Sequence, residues 1–304
     1  MFFKLSFFLL FLSAPALLVA TDNIEQRNAR IVNSVIALLS DDFMSAGSYE
    51  INDGGANLDI YHLPGRHQFK PFYKDFNIYV NGSLGYAKLT EDEPIFLGEV
   101  PDKYEARTKI VKGGFGLRYK PNEDFQLSLG YALIYAHYKP TYSYNSALSR
   151  YFVRPIVDDS LNANQKSWTN EFVISTKYEH EVKGFVPFVQ FEYKWYHTRS
   201  ELESSDAPKT TSDDSLLRTR IGTFTPTLFQ VDNHNVKINA FAGRTYFYGD
   251  LVDIAKSDYY DTYGGGIYID FKDGFFEQLG IISEWTDGEN FDGFNVGLDI
   301  SFNF

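Results

Sequence analysis

Residues 294–304, FNVGLDISFNF, end the sequence. Phe294, Val296, Leu298, Ile300, Phe302 and Phe304 fall on one side of an extended chain, and Asn295, Gly297, Asp299, Ser301 and Asn303 fall on the other. A two-residue period held over the whole stretch describes a strand with one oily face and one wet face. Two settings satisfy such a strand. One is the half-buried sheet of a soluble sandwich; the other is the wall of a tube whose oily face meets lipid. The rest of the chain decides between them.

The same rhythm recurs upstream. Phe76, Ile78, Val80, Leu84 and Tyr86 oppose Asn77, Asn81 and Ser83. Val111, Phe115, Leu117 and Tyr119 oppose Lys112 and Arg118. Phe125, Leu127, Leu129, Tyr131, Leu133 and Tyr135 alternate with Gln126, Ser128, Gly130, Ala132 and Ile134. Phe185, Val189, Phe191, Tyr193 and Trp195 oppose Gln190, Glu192 and Lys194. Weaker segments lie at 57–69, 168–178, 216–230, 236–248, 262–271 and 278–286. The connections alternate in length. Those at 120–124, 179–184, 231–235 and 272–277 are short, whereas 90–104, 139–166, 199–215 and 249–261 are long and polar. Tight turns on one side and long loops on the other are the parity of an up-and-down meander through a membrane. If the last strand ends at the periplasm, the strand at 57–69 needs an upward partner. Residues 43–51 supply it through the Asn52-Asp53-Gly54-Gly55 hairpin turn. The expected fold is all-β, a transmembrane antiparallel β-barrel of twelve strands over residues 42–304, with ten as the fallback.

Bulk properties agree. The chain has 304 residues, 44% hydrophobic and 17% aromatic, with 28 Phe and 22 Tyr, yet its mean hydropathy is −0.28. That excludes a helical membrane protein and supplies rings for interfacial girdles. A net charge of −12 without a basic run disfavours nucleic acid as a partner. The absence of cysteine excludes disulfides, thiolate chemistry and lipid attachment through a thiol. Lys4, the apolar run LSFFLLFLS at 5–13 and Ala14-Pro15-Ala16 form a cleavable export signal over residues 1–20. Cleavage is expected after Ala16 or Ala20. Residues 21–41 are expected to form the one convincing helix, capped by Asp22 or Asn23, with Ile24, Ile31, Val35 and Leu38 on one face. At roughly 28 Å for residues 22–40 it matches a bilayer core. It fits either inside the lumen or beneath the lower rim.

A signal segment, one helix of about twenty residues and twelve strands ending in Phe resemble the translocator unit of the autotransporters. With no passenger expected between the export signal and Asp22, the chain is similar to the solitary autotransporter-type outer-membrane barrels. The resemblance implies a Gram-negative outer membrane and a lumenal helix. It also implies that the C-terminal face from Phe294 to Phe304 is read by the barrel-assembly machinery. Periplasmic chaperones, outer-membrane lipid and lipopolysaccharide are the expected partners of a monomer. The expected role is structural or that of a narrow pore. An open, porin-like diffusion channel is the alternative, and an outer-loop hydrolase is the second.

The wet faces carry Arg118, Glu192, Lys194, Arg218, Arg220, Lys237, Asp270, Glu284 and Asp299. Arg or Lys facing lipid near midplane costs up to about 2–4 kcal/mol, so these side chains are expected to line the lumen. There they can pair with one another or with Glu25, Arg27, Arg30 and Asp41. His62, His67, His137, His180, His197 and His234 form no metal-binding spacing. No cofactor is expected. His137 and His197 lie near Ser143, Ser200, Asp158 and Asp206, but without a hydrolase motif, so no enzyme is expected. Tyr142, Tyr144, Tyr151, Phe152 and Trp168 are expected to rest on the lipopolysaccharide interface.

Overall fold

The computed structural model describes residues 32, 35–36, 44–51, 55–93, 101–147, 149–155, 158, 162–203, 209–249, 251–252, 257–271 and 276–302. The wall strands are β1 (Met44–Ile51), β2 (Ala56–Gln68), β3 (Phe76–Glu93), β4 (Asp102–Tyr119), β5 (Phe125–Ser143), β6 (Gln165–Glu179), β7 (Val186–Leu202) and β8 (Thr210–Phe224), then β10 (His234–Gly249), β11 (Tyr259–Asp270), β12 (Phe276–Gly288) and β13 (Phe291–Phe302). A three-residue strand, β9 (Phe229–Val231), pairs only with the foot of β10. Each wall strand is antiparallel to its neighbours, and β1 pairs with β13. The sheet is therefore a closed twelve-stranded barrel with no free edge, as a membrane requires of strands. The export signal lies outside the described residues, as does most of the expected helix; Val32, Val35 and Ile36 are helical.

Alternation sorts the two faces. Leu84, Val111, Phe115, Leu129, Ile221, Ile267 and Ile281 are exposed on the outside, as are Phe294, Val296 and Leu298 of the C-terminal strand. Phe304 and its side-chain neighbours from Ser301 onward lie outside what is described. The short connections mark the periplasmic end. One of them turns through Asp232 (φ 48) and Asn233 (φ 68), the left-handed pair of a tight hairpin turn.

Strand ends depart from the alternation-based reading. β3 and β4 run to 18 residues and β5 to 19, where a tilted span needs only about 9–11. The extra length lies at the outer end, so the long loops shrink. Above the bilayer the outward face of a strand meets water and its oily rhythm stops, while the backbone ladder and the buried inward face continue. Ion pairs replace the rhythm there: Lys88–Glu105 at 3.1 Å, Lys166–Glu203 at 2.7 Å and Arg244–Asp261 at 2.6 Å. The segment expected as a strand at 216–230 is instead β8 ending at Phe224, followed by an extended stretch that reaches β9.

Closure rests on the shortest wall strand, the eight residues of β1. Tyr49 pairs with Gly293 across the β1–β13 seam. Its buried ring lies flat on that glycine, where a Cβ would sit 2.7 Å from Cε1 and 2.8 Å from Cγ. Any side chain at 293 would collide with the ring.

Candidate functional site: the barrel lumen

The lumen has two storeys. In its outer half the inward positions mix apolar and aromatic side chains with buried hydroxyls that pair across strands, Ser167 with Ser200 and Thr169 with Thr198. Leu58, Ile60, Tyr104, Ile110, Ile134, Tyr138, Tyr196, Leu216, Phe247 and Tyr260 form one buried cluster. Val32, Val35 and Ile36 belong to it, at 0%, 2% and 3% exposure. Val35 lies on the expected apolar face of the helix; Val32 and Ile36 were not assigned to it. A lumen wet throughout was expected, and this half corrects that reading. The local signal is a loss of alternation: in Leu133-Ile134-Tyr135-Ala136 the inward Ile134 and Ala136 are apolar too.

Above this plug the β5–β6 loop folds over the mouth. The Asp102 carboxylate accepts hydrogen bonds from the backbone N–H of Asn145 (2.7 Å) and Ser146 (3.3 Å), and from the Tyr142 hydroxyl (3.4 Å). Asn162 Oδ1 accepts from the Tyr142 N–H at 2.6 Å. The Tyr104 and Tyr138 hydroxyls are hydrogen-bonded. Tyr142 is buried and its ring packs 4.8 Å from Tyr144. These two rings are expected on the lipopolysaccharide interface; they join the lumenal cluster instead, Tyr142 because β5 continues past the bilayer and its even-numbered residues keep pointing inward, and Tyr144 by packing against it. Burial, then the nearby Asp158 carboxylate, push the Tyr144 phenol above its ordinary pKa. Tyr151 is 79% exposed, Trp168 faces outward, and the Phe152 side chain lies outside the described residues.

The inner half carries most of the lumenal charge, alongside a smaller buried cluster of Phe188, Phe241, Tyr268 and Ile282. A cavity of about 820 Å³ is lined by Arg118, Glu192, Lys194, Arg218, Arg220, Glu284 and Asp299, all sequence candidates. His62, Arg66, Lys112, Glu171 and Lys177, not proposed as lining, join them. Lys237 and Asp270 do not line it; they pair with each other at 2.7 Å. Lys112 Nζ lies 2.5 Å from Glu171 Oε1, with Glu171 almost fully buried. Glu192 lies 3.1 Å from Lys194 and 3.7 Å from Arg218. Arg220 reaches Glu284 at 2.9 Å and stands 4.4 Å over the Phe241 ring. Arg118 donates to Gln68 at 2.5 Å. Opposite charges thus satisfy one another within β7, between β7 and β8, and, for Lys112–Glu171 and Arg220–Glu284, between strands that are not adjacent in the wall. Strand parity could have found Glu171, which alternates with the outward Phe172 and Ile174; the Pro64-Gly65 interruption hid Arg66. Pairing with Glu25, Arg27, Arg30 or Asp41 lies outside the described residues.

The histidine and serine candidates do not converge. His62 is buried inward, and His67 lies edge-on to Phe69 at 4.7 Å. His137 faces outward, 3.6 Å from Glu203, and His197 pairs with Asp213 at 2.8 Å. Ser200 faces the lumen and bonds Ser167 at 2.7 Å. Asp158 accepts from Asn162 at 2.7 Å, and Asp206 lies outside the described residues. His180 pairs with Asp124 at 2.9 Å in a short turn. His234 packs against Phe271 at 4.8 Å. Among the described residues no group of three His, Asp or Glu could hold a metal ion.

A closed antiparallel wall, an oily outside and a charged lumen define an integral β-barrel of the Gram-negative outer membrane. Within that class the chain belongs to the solitary outer membrane autotransporter β-barrel domain family, whose model matches residues 33–303. Among solved structures it resembles the translocator domain of autotransporter NalP from Neisseria meningitidis, with TM-score 0.58 and 10% identity over 94% of this chain and 97% of that one. It also resembles the β domain of the Bordetella autotransporter Brka, with TM-score 0.57 and 14% identity over 85% and 97%. The transport unit of AIDA-I from Escherichia coli gives 0.55 and 10% over 91% and 98%. At these identities the likeness is one of fold. No curated protein matches the sequence.

Proposed function

We propose that this autotransporter-type barrel rests closed, as a plugged translocator body rather than an open channel or an enzyme. The single observation that carries the reading is the close-packed outer half of the lumen, where Val32, Val35 and Ile36 are buried among inward strand residues. A constriction packed to interior density leaves no through path for water or ions, whatever the width of the backbone tube. The charged inner half is then a self-paired vestibule, and its ion pairs hold the wall rather than select a solute. Phe294, Val296, Leu298, Ile300, Phe302 and Phe304 serve the assembly machinery during insertion, and chaperones carry the unfolded chain across the periplasm.

Planar-bilayer recording tests the closed state. The intact mature protein should show negligible conductance, and deletion of residues 21–40 should raise it sharply while the barrel still migrates as a folded species. High conductance in the intact protein would return the open diffusion channel to first place.

A further inference from the structure

Outside the barrel, just above the apolar belt, the ladder gathers basic side chains and sets one pair of cations, Arg107 and Lys139, opposite one another. On the lipid-facing side of β4, β5 and β6, Lys109 pairs with His137 and His137 with Lys166. One step further out, Arg107 pairs with Lys139. Facing cations across a ladder repel and destabilise it. The nearby carboxylates only partly compensate. Glu105 pairs with Lys88 and Arg107, and Glu203 pairs with Lys166. Lys109 and Lys139 are exposed and, among the described residues, neither has a carboxylate partner. In a chain of net charge −12, such a cluster does not follow from composition. Immediately beneath it Tyr135 packs on Trp168 at 4.8 Å, with Phe172 exposed below.

We propose that this patch seats the phosphorylated head of a lipopolysaccharide molecule of the outer leaflet. Three strands give a cationic surface about 10 Å wide and about 7 Å high. Lys109, Lys139 and Arg107 take the phosphates as charge-assisted donors, and the acyl chains lie along Tyr135, Trp168 and Phe172. The bound anions relieve the repulsion that the ladder imposes. The site rests on the outer-membrane location and is independent of whether the lumen is plugged.

The test uses the full mature protein in a zwitterionic detergent, titrated with purified bisphosphorylated lipid A or its dephosphorylated form, with native mass spectrometry and thermal unfolding as readouts. Bisphosphorylated lipid A should bind and raise the unfolding temperature by about 3 °C or more. The Lys109→Gln/Lys139→Gln variant should be no less stable without lipid, and should bind about 30-fold more weakly. A control pair at the periplasmic rim, Lys70→Gln/Lys74→Gln, should keep wild-type affinity. The proposal is overturned if lipid A leaves the wild type unmoved, if the dephosphorylated form acts equally well, or if the two double variants behave alike.

Discussion

Gly293→Ala should loosen the barrel at its closing seam. A Cβ at 293 would lie 2.7 and 2.8 Å from two ring carbons of Tyr49, against an ordinary carbon contact of about 3.5–4.0 Å. Tyr49 Cδ1 lies closer still, so the ring must move by more than about 1 Å. It has little room: a Cβ position on Gly47 of its own strand is 3.0 Å from Tyr49 Cε2, and Tyr49 is packed in the outer-half cluster. Overpacking of this kind costs about 1–3 kcal/mol, and two kcal/mol shifts the folding equilibrium by a factor of about 30. Urea titration of the barrel in lipid vesicles, followed by tryptophan fluorescence and by gel mobility without heating, reads the loss directly. Tyr49→Ala alone should cost about 3 kcal/mol through the cavity it leaves. In that background Gly293→Ala should cost almost nothing, a coupling of about 1–3 kcal/mol. An unchanged urea midpoint in Gly293→Ala, or the same penalty with and without the Tyr49 ring, would refute the seam argument.

Glu171→Gln should destabilise the barrel by about 3 kcal/mol, because Lys112 is left as an uncompensated charge; Lys112→Met/Glu171→Leu should recover most of that in the same urea assay. The hydrogen bond and charge of Lys166, with help from Asn164, hold the Glu203 carboxyl below its ordinary pKa. Its contribution is therefore complete above the unfolded value of about 4.3 and is lost as pH falls through the lower folded value. Comparing unfolding midpoints at neutral and strongly acid pH should show a smaller acid loss for Glu203→Gln than for wild type. Asn233 has a positive φ of 68 in the hairpin turn before β10, so Asn233→Gly should be neutral or stabilising, whereas Asn233→Val should cost about 1–2 kcal/mol in the same titration.

Much of the site was visible in single strands. A strand's period assigns each residue to lipid or lumen without reference to any other strand, so Arg118, Glu192 and Asp299 could be placed on the wet face from sequence. The outer half of the lumen resisted that reading because Ile134, Tyr138 and Leu216 are oily on an inward face, and only a second body filling the tube makes such residues favourable. Lys112 and Glu171 are 59 residues apart, and Arg220 and Glu284 64 apart. Their pairing follows from register and closure, which no local pattern encodes. The same holds for Lys109, Lys139 and Arg107, which are scattered in sequence and neighbours only across the ladder.

The sequence alone determined the barrel, its twelve strands, its lipid-facing side and part of its charged lining; Lys237 and Asp270 fall outside the cavity, and Lys112 and Glu171 join it. What it determined depends on a two-residue period and on loop parity, both local. The tertiary structure decided that the outer lumen is packed with apolar side chains, which lumenal charges neutralise one another, and where like charges meet on the outer wall. Those are set by how strands align around a closed ring, where sliding one strand by a single residue would turn every one of its side chains to the opposite face.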